Sequence, residues 1–384
     1  MSKKIKKYLK LKDEKLIKSC KPALKELYKN HKKKYIDLFF YEKDIKFDKF
    51  DLSPLVKTNI LRKIRNKYRA NIQVFPLSGR FICTDFIISI HKIKNGRIVR
   101  GKDDVWGIMA YESPYIAKKA IIEKGDFVLD LATGSGIIAI FCADKARKVV
   151  ATDINTKAIN YARFNAILNN VEDKIEFRVG DMFKPVKGLK FDLIIWNGPT
   201  LPVPNVPEKY PIYCYGGPDG LEFTRRFIKQ AKKYLKNNGR IQWLDVSVGS
   251  LNKPESLRLV EKYLRKEKFK VVYEERVSPS DIFKTIKYND KRMIEEPMKN
   301  RPKTPLWIKP LKDKEFSDWL DFFKRNKFTH FHSGMYKVYP NKKFKVIKTK
   351  PKELVFKRMN YLPAEWHFLG YSRIMQQLKI CESY

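Results

Sequence analysis

The chain turns on one stretch, Val128-Leu129-Asp130-Leu131-Ala132-Thr133-Gly134-Ser135-Gly136-Ile137-Ile138-Ala139. An apolar run interrupted by one acid predicts a buried strand, the glycines a tight turn, and the apolar residues after Gly136 the start of a helix. Glycines at such a turn let a ligand approach the backbone closely. The same alternation continues outward. Strands are predicted at 127–131, 148–152, 174–179, 191–196, 239–246 and 269–275, with helices at 136–145, 155–169, 219–236 and 254–266. Strands alternating with helices of this length specify an α/β fold with a doubly wound, mostly parallel, Rossmann-like sheet. Four regions follow: a basic helical region at 1–69, a small β-rich region at 70–102, the sheet domain at 103–285 and a basic α+β appendage at 286–384, partly packed on the sheet. Leu9, Leu16, Ile17, Leu24, Leu27 and Tyr28 mark helices in the first, and Asn95-Gly96 a hairpin in the second.

The turn is not that of a dinucleotide enzyme. It reads D-x-A-x-G-x-G, where a pyrophosphate site would read G-x-G-x-x-G. Asp130 stands before the loop, where it would repel a phosphate and attract an amino group. The next strand ends in Asp153, and a carboxylate there can take both ribose hydroxyls. The third leads to Gly180-Asp181-Met182-Phe183, where an acid can accept from an adenine amino group and an apolar neighbour can cover the ring. Three acids at three successive strand ends select S-adenosylmethionine; the loop alone leaves a nicotinamide-binding domain open. The predicted cofactor site is Asp130, Ala132, Thr133, Gly134, Gly136, Asp153, Ile154, Asp181 and Met182, with Asn197 at its edge. Ala132 takes the place of the first loop glycine, a mild change if its φ is negative.

The fourth strand runs into Asn197-Gly198-Pro199-Thr200, and Gly216-Gly217-Pro218-Asp219-Gly220 follows. With DLATGSG, VVATDINTKAINYARFNAILNN, GDMF, FDLIIWNGP and GGPDGLEFTRRFI, residues 119–247 resemble the class I S-adenosylmethionine-dependent methyltransferases that modify planar nitrogens, most closely the release factor glutamine methyltransferase branch. The resemblance implies that Thr133, Gly134 and Gly136 line the cofactor, that Asp153 binds its ribose and Asp181 its adenine. It also implies two catalytic residues: Asn197 accepts a hydrogen bond from the target nitrogen, and Pro199 shapes the turn beside it. That family's motif is N-P-P-Y; here Gly198 replaces the first proline and Thr200 the aromatic that stacks on the target. Trp196, Tyr210, Tyr213 and Tyr215 are the candidate replacements. The segment Trp106–Pro114 either folds over the site or is an ordinary linker, with Ser113 capping a helix.

Composition narrows the partners. Lys and Arg number 82 against 42 Asp and Glu, a formal charge of +40, which attracts polyanions. Five scattered cysteines form neither a zinc pattern nor a disulfide framework, and no metal is expected. His330 and His332 alternate without further ligands nearby and read as core-edge residues. No apolar run is long enough for a membrane span, so a cytoplasmic protein without membrane contact is expected. The basic tail Tyr339–Arg358 interleaves aromatics with Lys and reads equally as a nucleic-acid surface or a solvated ribbon. The reading is an N-methyltransferase acting on a macromolecule: an RNA base, or a glutamine-type amide of a translation-associated protein, in a ribonucleoprotein setting. Two alternatives stand beside it, a small-molecule methyltransferase with a modified loop and a non-catalytic RNA-binding adaptor.

Overall fold

A computed structural model describes residues 9, 11, 13–86, 93–94, 97–98, 101–105, 112–203, 211–284 and 313–349. Helix α1 (Glu14–Asn30) starts where the Asp13 side chain accepts from the Leu16 amide at 2.9 Å, and it buries Ile17, Cys20, Leu24 and Leu27 on one face. α2 (Lys32–Phe39) and α3 (Ser53–Lys57) follow, then two hairpins, β1 (Leu61–Ile64) with β2 (Lys67–Ala70) and β3 (Gln73–Leu77) with β4 (Arg80–Thr84). The β-rich part therefore begins at Leu61, inside the stretch expected to be helical. Short Lys- and Arg-rich strands lack the apolar alternation that marks a buried strand. The hairpin expected around Asn95-Gly96 is present as β5 (Ile93–Lys94) paired with β6 (Arg97–Ile98), although the two turn residues lie outside the described ones.

Then come α4 (Glu112–Lys118), β7 (Phe127–Leu131), α5 (Ile137–Cys142), β8 (Lys148–Asp153), α6 (Thr156–Leu168), β9 (Ile175–Val179), β10 (Phe191–Trp196), α7 (Glu222–Ala231), β11 (Leu235–Ser250), β12 (Lys253–Pro254), α8 (Glu255–Leu264), β13 (Phe269–Asp281), α9 (Asp313–Arg325), β14 (His330–Pro340) and β15 (Lys345–Thr349). The main sheet runs β15-β13-β14-β11-β10-β7-β8-β9, with β12 hairpinned onto β11. Along that order only β14 is antiparallel to its neighbours. The fold class is as expected, an α/β doubly wound sheet, and the expected helix at 219–236 is shorter, α7 followed by a 3-10 turn at Lys232–Tyr234.

The C-terminal part differs more. β14 lies inside the sheet, pairing along its length with β11 and β13, and β15 adds the edge. It was expected in an appendage packed against the sheet. Its sequence, HFHSGMYKVYP, is polar enough to read as a surface ribbon, and its pairing with β11 is set by distant partners. β11 and β13 continue past the level of Trp196, so with β14 they form a wall beyond the end of β10.

The N-terminal region joins the sheet domain through α6. Asn165 accepts from the Cys83 amide at 2.8 Å and donates to the Cys83 carbonyl at 2.9 Å; Asn169 repeats the pattern on Phe81 at 3.2 and 2.8 Å. Two asparagines one helical turn apart thus cap alternate residues of the β4 edge, giving a strand edge the partners it would otherwise lack. One continuous apolar core runs from α1 through β3 and β4 to α5 and α6, and a second lies under α7 and α8 on the other face.

Candidate active site

In a doubly wound sheet, ligands bind where the strand order reverses. Here that is between β7 and β10, paired so that Trp196 stands beside Leu131. The loops 132–136 and 197–200 therefore leave adjacent strands side by side.

The first loop is held by its acids. Asp130 is buried; its Oδ2 accepts from Thr133 Oγ1 at 2.5 Å and from the Ala139 amide at 3.0 Å. Burial pushes its pKa up to about 7 in spite of both bonds. Its Oδ1 is buried without a hydrogen-bond partner among the described residues. Asp153 accepts from the Gly134 amide through Oδ2 and from the Asn155 amide through Oδ1, both at 2.9 Å, and burial still raises its pKa. A Cβ at Gly136 (φ +84°) would sit 2.8 Å from Ala162 Cβ, so only glycine fits there, whereas one at Gly134 (φ +55°) would meet open space. Ala132 has φ +60°, so the condition that would have made it a mild replacement is not met: a Cβ is carried in the left-handed region. Met182 shares that strain at φ +48°. The two follow β7 and β9, the strands on either side of β8.

Ile154 is 55% and Val179 49% exposed at the ends of the neighbouring strands β8 and β9, either side of Asp153. Asp181 Oδ2 accepts from Arg226 Nη2 at 2.6 Å. Burial acts to raise its pKa, but Arg226 and Lys184 outweigh it and hold the carboxyl below its usual range. S-adenosylmethionine fits these residues. The orphaned Asp130 Oδ1 matches an ammonium, the space before Gly134 admits a ligand against the backbone, and exposed Ile154 and Val179 match an aromatic ring.

The second loop explains its own departures. A Cβ at Gly198 would lie 2.5 Å from Trp196 Cε2 and 2.6 Å from its Cζ2. The indole, fully buried and stacked on Phe227 with centroids 4.8 Å apart, occupies the volume a proline ring would need. That burial removes Trp196 from the candidate stacking platforms. Tyr213 and Tyr215 are half-buried beside the loop, and Tyr210 lies outside the described residues. Thr200 faces inward too: its Oγ1 accepts from the Val246 amide at 3.2 Å, and its backbone packs on Gly216 and Gly220, where a Cβ would come within 2.7 Å and 2.5 Å. The amide of Gly216 donates to the Leu201 carbonyl at 3.0 Å and that of Val203 to the Gly217 carbonyl at 3.0 Å, so the GGPDG turn is the back of the target loop.

Asn197 is oriented from across the site. Its Nδ2 donates to Ser113 Oγ at 2.9 Å, which leaves Oδ1 as the outward acceptor. Ser113 belongs to the first turn of α4 rather than capping it from outside. α4 is clamped to the β13 wall: Tyr115 Oη donates to Glu274, the Arg276 guanidinium lies 4.7 Å from the Tyr115 ring centroid, and burial raises the pKa of Glu112 against the pull of Arg276. Of the segment before the cofactor loop, 106–111 lie outside the described residues.

Sequence reasoning missed Ser113 as a partner of Asn197, Val179, and Asp245, a carboxyl buried within β11 two residues beyond Trp243 and pushed up to about 7 by burial while accepting from Trp243 Nε1 at 3.2 Å. An acid inside the apolar run IQWLDVSV was a legible signal. His332 is buried; one ring nitrogen lies 3.2 Å from Glu275 Oε1, and the other 2.7 Å from the Ser250 carbonyl. Among the described residues no group of three or more His, Cys, Asp or Glu is arranged to hold a metal ion, and no helix is long and apolar enough to cross a membrane.

Residues 116–273 match the family model of the methyltransferase small domain. The chain is 41% identical over 144 residues to a protein of Methanocaldococcus jannaschii named as an N5-glutamine methyltransferase, covering 36% of this chain and 71% of that one. It is 32% identical over 232 residues to the release factor glutamine methyltransferase of Thermodesulfovibrio yellowstonii, covering 56% and 80%. A solved ribosomal protein L11 methylase from Lactobacillus delbrueckii aligns at 24% identity over 41% of this chain and 66% of that one, with a TM-score of 0.30.

Proposed function

The chain belongs to the class I S-adenosylmethionine-dependent methyltransferases, in the branch of the release factor glutamine methyltransferases, and we propose that it methylates the side-chain amide nitrogen of a glutamine in a translation-associated protein of the cytoplasm. When bound, S-adenosylmethionine supplies a methyl group activated by its sulfonium. Asp130 Oδ1 takes the amino group, Asp153 the ribose and Asp181 the adenine amino group, with Ile154, Val179 and Met182 covering the ring. Thr133, Gly134 and Gly136 shape the loop against the backbone, and Ala132 closes its strand end.

The observation that carries the reaction is the orientation of Asn197. An amide nitrogen is a poor nucleophile because its lone pair is delocalised into the carbonyl. An acceptor on one N–H raises electron density at nitrogen and turns the lone pair towards the donor methyl. With Nδ2 committed to Ser113, Asn197 Oδ1 is that acceptor. In this reading Pro199 shapes the segment after Asn197, and backbone carbonyls near it would take the second N–H. The new N–C bond would form as the methyl–sulfur bond breaks, the sulfur leaving as a neutral thioether, and the proton lost from the nitrogen would pass to water.

Incubation of a cell extract with the enzyme and S-adenosylmethionine carrying a labelled methyl group tests this. Label is expected in the protein fraction, with transfer by Asn197→Ala reduced roughly 100- to 1,000-fold. Label confined to small molecules would establish the modified-loop alternative, and binding of RNA with no transfer at all would establish the adaptor.

A further inference from the structure

The β1–β2 hairpin carries charges that the catalytic domain does not use. From Leu52 to Thr84 there is no Asp or Glu, while Lys57, Arg62, Lys63, Arg65, Lys67, Arg69 and Arg80 all fall in that stretch. Leu61 and Ala70, paired at the base, are buried and anchor the hairpin. Beyond them Arg62, Lys63, Arg65, Asn66 and Lys67 are exposed.

Two features of this hairpin work against its stability. Arg62 pairs directly opposite Arg69, and like charges across a ladder repel. Arg65 takes φ +53° in the two-residue turn, a position where glycine or asparagine is the relaxed choice. The nearby carboxylate, Asp44, is already committed. It accepts from Arg69 Nε and, at 2.5 Å, from Arg69 Nη2, and that pair holds its pKa below the usual range. Arg62, Lys63, Arg65 and Lys67 have no ion pair among the described residues.

Register places Arg62, Lys67 and Arg69 on one face of the ribbon, at steps of roughly 5–7 Å, with Arg65 at the tip. We propose that this hairpin docks on the phosphate backbone of RNA. Interfaces between proteins need an apolar centre ringed by polar groups. The fully exposed side chains of this hairpin are guanidinium, ammonium and amide groups, with Ile64 and Tyr68 half-buried between them, the composition of a nucleic-acid contact. The choice of RNA over DNA rests on the translation-associated reading above. The hairpin would hold the enzyme on a ribonucleoprotein while the switch-point loops act on a protein there.

The test uses the full chain and a fluorescein-labelled RNA stem-loop, with anisotropy read across about 50–200 mM salt. The variant Arg62→Ala/Lys63→Ala/Arg65→Ala/Lys67→Ala is expected to bind at least tenfold more weakly, with a log–log salt slope smaller by about 3. Its melting temperature should equal or exceed that of the wild type, because the Arg62–Arg69 repulsion is gone, and its S-adenosylmethionine affinity should match. Arg65→Gly keeps a relaxed turn and should lower the slope by about 1, so the idea stays testable if the quadruple variant misfolds. Unchanged affinity and slope in these variants would overturn it, as would wild-type binding to polyglutamate as tight as to RNA. Calorimetry with S-adenosylmethionine on the same samples keeps the two proposals apart: absence of heat in the wild type contradicts the cofactor site, not the RNA contact.

Discussion

At the scale of single residues, two side chains test the proposed site. Asp130 titrates near neutrality because burial lifts its carboxyl to about 7. A carboxyl whose folded pKa lies above the unfolded value of about 3.9 binds more protons folded than unfolded between those values. The cofactor-free protein is therefore expected to lose stability as pH rises from about 4 to 7. A cation seated at Oδ1 favours the charged carboxylate, so S-adenosylmethionine should bind more tightly as pH climbs towards about 7, releasing protons on binding. Calorimetry in buffers of different ionisation enthalpy reads that release; a pH-independent affinity would remove Asp130 from the amino-group site. Ser113 acts through Asn197. Ser113→Ala should lower kcat roughly 10- to 100-fold while the affinity for S-adenosylmethionine holds, and Ser113→Thr should restore most of it. A rise in KM at unchanged kcat would show that Ser113 only packs. The positions of Asp130, Asp153 and Asp181 at or just past three strand ends were legible in sequence because strand ends are local. The strain at Ala132 was not, because φ depends on how the loop meets β8, where the Thr133 amide donates to the Thr152 carbonyl at 2.8 Å.

At the scale of elements, the target loop shows why a family motif can change without the loop being lost. Gly198 and Trp196 stand two apart at a strand end, and the indole takes the space that residue 198 would fill. Gly198→Ala should cost about 1–3 kcal/mol by overpacking, measured by urea unfolding. The same change in a Trp196→Ala background should cost much less, and strict additivity between the two would contradict the steric coupling. The sequence displayed both departures from N-P-P-Y, but not that Trp196 fills the space beside Gly198, nor that Thr200 points into the protein. The strand β14 was hidden for a different reason. Its apolar face alternates only weakly, and its place between β11 and β13 comes from pairing with residues far away in the chain, which no local pattern encodes.

At the scale of the whole molecule, the N-terminal region and the cofactor loop form one mechanical unit. Asn165, besides its two bonds to Cys83, donates to the Ser135 carbonyl at 2.9 Å, so a single buried amide ties β4 to the glycine loop proposed to hold the cofactor. Asn165→Ala leaves three buried backbone groups without that partner and is expected to destabilise the protein by roughly 3 kcal/mol. It should also weaken S-adenosylmethionine binding, whereas Asn169→Ala, which does not reach the loop, should lower the melting temperature alone. Equal effects of both on cofactor affinity would contradict this coupling. The doubly wound sheet was legible because apolar periodicity survives in every strand from β7 to β11, while the latch was not: asparagines in a helix read as surface residues until their partners are known. The central claim, an N-methyltransferase acting on a glutamine amide at the β7–β10 switch point, is tested most directly by tandem mass spectrometry of extract proteins after incubation with deuteromethyl-labelled S-adenosylmethionine. The expected result is a labelled methyl on a glutamine side-chain nitrogen with the wild type and roughly 100- to 1,000-fold less with Asn197→Ala; label recovered only in nucleosides or small molecules would contradict it.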